Sequence, residues 1–347
     1  MKPSPAASAH ACSRRDFLAA SAVLAGGTLL PVRARGADAG QKRALIAITL
    51  DLEMVRNFPR WDDTHWDFEK GDLSEETKRY AVGAARRVKA RGGHVHCFLV
   101  ARALEQENTD WLAEIITAGH AVGNHTYDHV NVKAQKPEDV QFRLRRAPWL
   151  IEGKSSAEVI RENIRLASAA MKSRLGIAPA GFRTPGGFSN GLLDRPDLQK
   201  MLLDLGFTWA SSKYPAHPNS KPGEEPAPEI FHGIVAAQAE AQPFVYPGGL
   251  IEVPMSPISD IGAFRNGRWK LEHFLHAIRL AVEWTIEHGA VFDFLAHPAC
   301  LCAMDPEFRA VDLICDLVVR AGDRATFATL REVADDTAMR NRAAPGK

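Results

Sequence analysis

Apolar runs alternate with amphipathic stretches along most of the chain. Residues 43–50 and 290–298 are almost wholly apolar, as expected of strands buried on both faces of a sheet. Residues 155–176 and 270–289 show the spacing of apolar side chains typical of helices. The pattern gives about seven β-then-α units in a single domain. Such units favour a parallel sheet, either open or closed into a barrel.

Two long stretches interrupt this rhythm. Residues 53–72 carry several aromatic side chains among charges, and residues 213–249 are rich in proline and glycine. Both are predicted to be long loops, and loops of this length inside a compact domain are usually functional or disordered.

The first 39 residues have the order of regions found in an export signal. Paired arginines at 14 and 15 precede the apolar run "AASAVLAGGTLL", which is too short to span a bilayer comfortably. Small residues at 37–39 follow, as at a signal-peptidase site. We expect residues 1–39 to be a signal recognised by the twin-arginine export machinery. Residues 40–347 would then form the mature protein, periplasmic or secreted.

Composition and charge exclude some partners. Of the 347 residues, 46% are hydrophobic and 24% are charged, and the formal net charge is +1. This is the composition of an ordinary globular domain with a large core. The chain has no long basic run, so charge gives no reason to expect binding to nucleic acid or to an anionic membrane. No stable membrane span is expected either.

Polar side chains follow several of the predicted strands. In barrels built of repeated βα units, reactive groups come from the C-terminal ends of strands. Two of these residues, His125 and His129, are four positions apart and could share one face of a helical turn, where they can bind one metal ion. Two carboxylates, three histidines and one arginine are expected to meet on one rim: Asp51, Glu53, His125, His129, Arg183 and His297.

The order of these residues resembles the polysaccharide deacetylase family, which has the NodB-like fold of carbohydrate esterase family 4. "TLDLE" at 49–53 stands where the family has Thr-Phe-Asp-Asp-Gly, and "HTYDH" at 125–129 matches its His-Ser/Thr-x-x-His motif. "RTPGG" at 183–187 and "FLAH" at 294–297 are similar to the later Arg-x-Pro-Tyr/Phe-Gly and Leu-x-His motifs. The segment at the family's fourth motif, 206–215, lacks the usual Asp-Trp pair. The resemblance implies an α/β fold, a distorted (β/α) barrel with parallel strands.

The resemblance also implies catalytic roles. Asp51 would be the general base that takes a proton from water. Arg183 would orient the carboxylate of that base through a charge-assisted pair. His297 would be the general acid that protonates the departing nitrogen.

A divalent metal would complete this site. The resemblance implies that His125 and His129 are metal ligands, and the family usually adds an aspartate directly after the base. Leu52 stands at that position and cannot bind a metal. Glu53 is the expected substitute, because a regular strand points it to the same side as Asp51. Zinc is the default for two histidines and a carboxylate, and cobalt, nickel or iron would also fit.

The implied activity is removal of N-acyl groups, such as acetyl, from an amino-sugar polymer, with water activated by the metal as the nucleophile. Trp61, Trp66, Pro185 and Gly186 are the predicted substrate-binding residues. The two tryptophans could stack on sugar rings or simply anchor their loop to the core. One alternative keeps the fold but hydrolyses a non-sugar amide or cyclic ureide, without metal in some relatives. Another is a glycan-binding protein with a decayed site.

Overall fold

The computed structural model describes residues 42–55, 57 and 70–343. Nine strands of the described chain form one sheet: β1 Ala44–Leu52, β2 Val95–Leu99, β3 Ala121–Asn124, β4 Phe182–Phe188, β5 Trp209–Lys213, β6 Phe244–Val245, β7 Ile251–Glu252, β8 Val291–Ala296 and β9 Ala325–Phe327. Their order is β6-β7-β5-β4-β3-β2-β1-β8, and β9 pairs with the beginning of β1. All pairs are parallel except β6 with β7.

The sheet curls until its two ends meet. Beyond β7, the backbone N–H of Ser256 donates to the carbonyl of Asp293 in β8 at 3.1 Å. The N–H of Asp293 donates in turn to Ser256 Oγ at 2.9 Å. The α/β fold is therefore the expected distorted barrel with parallel strands, and the C-terminal ends of those strands lie on one rim.

Helices connect most of the strands and cover the sheet. Ser74 caps the first helix by accepting a hydrogen bond from the backbone N–H of Thr77 at 3.2 Å. Ser155 and Glu158 form a capping box at the start of the longest helix, which ends at Gly176 in the left-handed conformation. The helices are α1 Glu75–Ala90, α2 Asp110–Thr117, α3 Phe142–Arg146, α4 Ser156–Leu175, α5 Pro196–Asp204, α6 Pro228–Ala237, α7 Leu271–His288, α8 Pro298–Met304, α9 Arg309–Ala321 and α10 Leu330–Ala343.

The pattern of apolar residues predicts most of these elements. All seven predicted strands are present, as β1 to β5, β7 and β8. The interpretation of residues 213–249 as one long loop is wrong, because α6 and β6 lie within it. Pro228 stands at the first position of α6, where a missing N–H costs nothing, so proline begins a helix here rather than preventing one.

The expected export signal, residues 1–39, lies outside the described residues and stays a prediction. Among the described helices, none combines the length and the apolar character needed to cross a bilayer.

Candidate active site

Two carboxylates leave β1 on the same side of the sheet. Asp51 is the penultimate residue of the strand and Glu53 follows its end, so the two-residue period of a strand directs both side chains to the rim. Each residue is only 5% exposed, whereas Leu52 between them packs into the apolar core. Carboxylates buried to this degree need charged or hydrogen-bonded partners, and both have them.

The histidine motif follows the end of β3, but it is not a helical turn as the spacing suggested. Thr126 and His129 have positive φ values of 63° and 57°. The side chain of Asn124 accepts a hydrogen bond from the backbone N–H of Thr126 at 2.8 Å, which favours a turn over a helix. The two imidazole rings of His125 and His129 still face one another, with centroids 5.2 Å apart.

Glu53, His125 and His129 form a cluster of metal-ligating atoms that lie within 4.8 Å of one another. The Nδ1 of His125 lies 3.0 Å from the carbonyl oxygen of Arg183, and this contact requires a proton on Nδ1. The Nε2 atom of the same ring faces Glu53 Oε2 at 3.2 Å. His129 Nε2 also contacts Glu53 Oε2 closely. Acceptor atoms that converge in this way fit a cation between them, and one carboxylate with two imidazoles is a common zinc donor set.

Lys70 brings a positive charge to the same cluster. Its Nζ donates to Glu53 Oε1 at 2.6 Å and lies 3.1 Å from His129 Nε2, and the residue is 2% exposed. Burial opposes ionisation of Glu53, but His129 and Lys70 hold the pKa of its carboxyl well below the usual range. Burial lowers the pKa of His129 to about 4 although Glu53 acts in the opposite direction. The cluster therefore presents an ionised carboxylate and a neutral imidazole.

Arg183 holds Asp51 in place from behind the rim. The guanidinium is fully buried, and its Nη1 donates to Asp51 Oδ1 at 3.0 Å and to Thr49 Oγ1 at 2.8 Å. Its Nη2 pairs closely with Asp293, and its plane lies over the ring of Phe98 at 4.3 Å. Burial raises the pKa of Asp293 to about 6, although Arg183 pulls it down. The arginine is thus shared between two buried carboxylates.

His297 lies at the opposite side of the cluster, directly after β8. Its Nδ1 pairs with Asp260 Oδ1 at 2.9 Å, and its backbone N–H donates to Asp260 Oδ2 at 2.8 Å. Its Nε2 points to Glu53 Oε1 at 3.3 Å. Burial alone would lower the pKa of this imidazole, but Asp260 and Glu53 together raise it to about 10. His297 is therefore an imidazolium at neutral pH, with a proton on the side that faces Glu53.

Three charged residues of this site were missed in the sequence. Asp293 had a signal: it shares the two-residue period of Leu295 and His297 in an apolar strand, so an inward carboxylate needed a buried cation. Asp260 and Lys70 had none, because they belong to no motif and lie 37 and 17 positions from their partners His297 and Glu53.

A cleft of about 530 Å³ opens beside the cluster. Asp51, Glu53, His129 and His297 border it, whereas His125 and Arg183 lie behind these residues. The far wall combines polar and apolar side chains: Tyr214, His217, Asn219, Met255, Ile261 and Arg265.

Of the predicted substrate-binding residues, Gly186 lines the cleft, with φ 74° and open space where a side chain would begin. Pro185 is buried and is not among the lining residues, because it points into the protein from β4. Trp61 and Trp66 lie outside the described residues.

Comparison with solved structures identifies the fold. A protein from Mycobacterium smegmatis assigned as a polysaccharide deacetylase is 14% identical, with a TM-score of 0.57, and the alignment covers 87% of this chain and 93% of that one. A protein from Pseudomonas aeruginosa PAO1 with the same assignment is 13% identical, with a TM-score of 0.57, and the alignment covers 87% of this chain and 92% of that one. Puue allantoinase is 13% identical, with a TM-score of 0.57, and the alignment covers 86% of this chain and 91% of that one. At such identities the likeness shows a shared fold.

Sequence comparison finds a family model that matches part of the chain. No curated protein sequence matches the chain. The family model described as polysaccharide deacetylase matches residues 68–203, a range that contains His125, His129 and Arg183 but not the carboxylates of β1 or His297. The chain is therefore similar to the polysaccharide deacetylase family over residues 68–203, and it shares its fold with two proteins assigned to the same activity.

Proposed function

We propose that this protein is an exported, metal-dependent hydrolase that removes N-acetyl groups from an amino-sugar polymer. The observation that carries the proposal is the cluster of Glu53, His125 and His129 at the edge of the cleft, with Asp51 and His297 beside it. These five side chains come from three separate parts of the chain. His125, His129 and His297 each place a ring nitrogen against a carboxylate oxygen of Glu53. Asp51 Oδ2 lies 3.8 Å from His125 Nε2.

The donor set suits a divalent ion. Glu53 is held ionised, His129 presents a neutral imidazole, and His125 directs its Nε2 at Glu53 while its Nδ1 contacts the carbonyl oxygen of Arg183. Zinc is our first choice, and cobalt, nickel or iron would accept the same ligands. Such an ion supplies positive charge that lowers the pKa of water and polarises an acyl oxygen.

Asp51 is suited to act as the general base. One oxygen is fixed by Arg183 at 3.0 Å, and the other lies 3.8 Å from His125 Nε2. The residue borders the cleft, so a water molecule or an acyl group there can reach its free edge. A base held in one orientation transfers a proton without first having to be positioned.

His297 is suited to act as the general acid. Its proton on Nε2 faces the cleft side of Glu53, and Asp260 keeps the ring charged and fixed at its other nitrogen. Breakdown of an amide requires protonation of the departing nitrogen. Asp51 and His297, beside the cluster of Glu53, His125 and His129, therefore provide the base and the acid that this reaction needs.

The cleft has a size suited to one acylated sugar unit. A volume of about 530 Å³ falls within the range of small-molecule sites, and Tyr214 and Met255 give it an apolar face. Gly186 has no side chain, so it leaves the part of the cleft that it lines open. We propose further contacts to the polymer from Trp61 and Trp66, and export to the periplasm or beyond through the signal at residues 1–39.

A second candidate is hydrolysis of a non-sugar amide or cyclic ureide without metal. The specific observation in its favour is Lys70, whose ammonium already supplies positive charge to Glu53 and His129. The shared fold with Puue allantoinase is compatible with this candidate but does not argue for it over the first.

The two candidates separate in one assay. The protein is stripped with chelator, reloaded with zinc or left bare, and offered N-acetylglucosamine oligomers or allantoin. The first candidate predicts zinc-dependent acetate release that His125→Ala abolishes and the control His94→Ala, a half-buried histidine outside the cluster, leaves unchanged. Ureide hydrolysis by the bare protein favours the second candidate. Retention of the oligomers without hydrolysis of either substrate would indicate a glycan-binding protein.

A further inference from the structure

Lys70 contacts two of the three side chains that would bind a metal ion, Glu53 and His129. Its Nζ donates to Glu53 Oε1 at 2.6 Å and is 3.1 Å from His129 Nε2. We propose that Lys70 competes with the divalent ion for this cluster and thereby weakens its metal affinity, an inference that rests on the proposed metal-dependent function.

The contact with His129 makes the competition direct. A metal ion needs the lone pair of His129 Nε2, and the ammonium of Lys70, 3.1 Å from that atom, lies in the space that the ion would enter. Zinc bound to imidazole lies about 2.0–2.1 Å from the nitrogen, so an ammonium at 3.1 Å from the same nitrogen must move away.

The lysine cannot move far from the cluster. The turn that carries it is fixed to the ligand strand, because the backbone N–H of Gly71 donates to the carbonyl of Glu53 at 2.6 Å. The Lys70 side chain is 2% exposed, so solvent and salt screen its charge poorly. An ion that displaces the ammonium from His129 therefore still binds beside a like charge.

A supporting role for Lys70 would have the opposite consequence. If the lysine only fixed Glu53 through Oε1, its removal would loosen a ligand and weaken metal binding. Lys70→Met removes both the charge and the hydrogen bonds. Lys70→Gln removes the charge but keeps N–H groups on a side chain one atom shorter, and Lys70→Arg keeps the charge. The three replacements separate charge from hydrogen bonding.

Lys78 provides the matched control. It is also a buried lysine, 8% exposed, and it pairs with Glu75 at 2.7 Å in α1 rather than with the cluster. Lys78→Met therefore reproduces the loss of a buried ammonium without touching a metal ligand.

The experiment is a zinc titration of the full chain against a chromophoric chelator, repeated with cobalt and read from its d–d absorption. Thermal unfolding checks that each variant is folded. We expect Lys70→Met and Lys70→Gln to bind zinc roughly 10- to 100-fold more tightly than the unaltered protein, the range over which groups beside metal ligands alter affinity. Lys70→Arg and Lys78→Met should bind as the unaltered protein does.

Two failures have different meanings. If the unaltered protein binds zinc and the uncharged Lys70 variants bind it equally or more weakly, the competition is refuted while the proposed metal site survives. If no variant binds zinc or cobalt, the metal-dependent function fails and takes this inference with it. Tight binding by Lys70→Arg, equal to that of Lys70→Met, would also overturn the role of charge.

Discussion

Replacing Arg183 with methionine removes the guanidinium that two buried carboxylates share. Asp51 and Asp293 are 5% and 0% exposed, and both pair with this side chain. Loss of one partner from a buried ion pair costs roughly 3–5 kcal/mol because the remaining charge stays buried. Methionine keeps much of the packing over Phe98, so the charge dominates the loss. We expect about 4 kcal/mol less stability at pH 7, with a fall of roughly 10 °C in the unfolding midpoint.

Urea unfolding of a double-mutant cycle measures this effect. Asp293→Asn removes one of the two charges with almost no change in shape, so the double variant Arg183→Met/Asp293→Asn should regain stability relative to Arg183→Met alone. The coupling energy between the two sites should exceed about 1.5 kcal/mol, since residues in one ionic network do not add independently. Additive losses, or a cost below about 1 kcal/mol for Arg183→Met, would refute the shared-charge account.

Two further predictions concern the acid and the packing around Trp209 in the sheet. Asp260→Asn removes the main partner that raises the pKa of His297 to about 10, so the imidazole loses its proton at lower pH. The basic limb of the rate profile should move to lower pH, and an unmoved limb would exclude His297 as the acid. Gly181→Ala would place a methyl group 2.0 Å from the Trp209 indole at φ 138°. Urea unfolding should show a loss of about 2 kcal/mol or more, whereas Gly92→Ala, with positive φ but no neighbour within 4 Å, should lose less.

The fold could be predicted from sequence because the signal is repeated many times. Seven apolar runs and the helices between them leave few arrangements other than a parallel sheet closed by helices. The elements that the sequence did not predict are short or lie in a stretch whose composition suggests a loop. Strands β6 and β9 are two and three residues long, too short to show a period. Helix α6 begins at a proline within a proline-rich stretch, where composition suggested a loop.

The candidate site, like the fold, could be predicted where its residues follow a periodic pattern and not where they lack one. Asp51 and Glu53 follow from the two-residue period at the end of a strand, and the structure places both at one rim as expected. The helical turn for His125 and His129 was wrong because the polar side chain of Asn124 redirects the backbone. Lys70 has no periodic relation to its partners, so only the folded chain brings it to them.

The roles assigned to these residues remain predictions, and the metal site among them is the central one. Diffraction from zinc-loaded crystals, recorded at the zinc absorption edge, tests it most directly. We predict one anomalous peak about 2.0–2.2 Å from Glu53 Oε2 and from the Nε2 atoms of His125 and His129, with Lys70 Nζ displaced from His129. A loaded crystal with no peak at these three side chains, or with its peak elsewhere, would contradict the account.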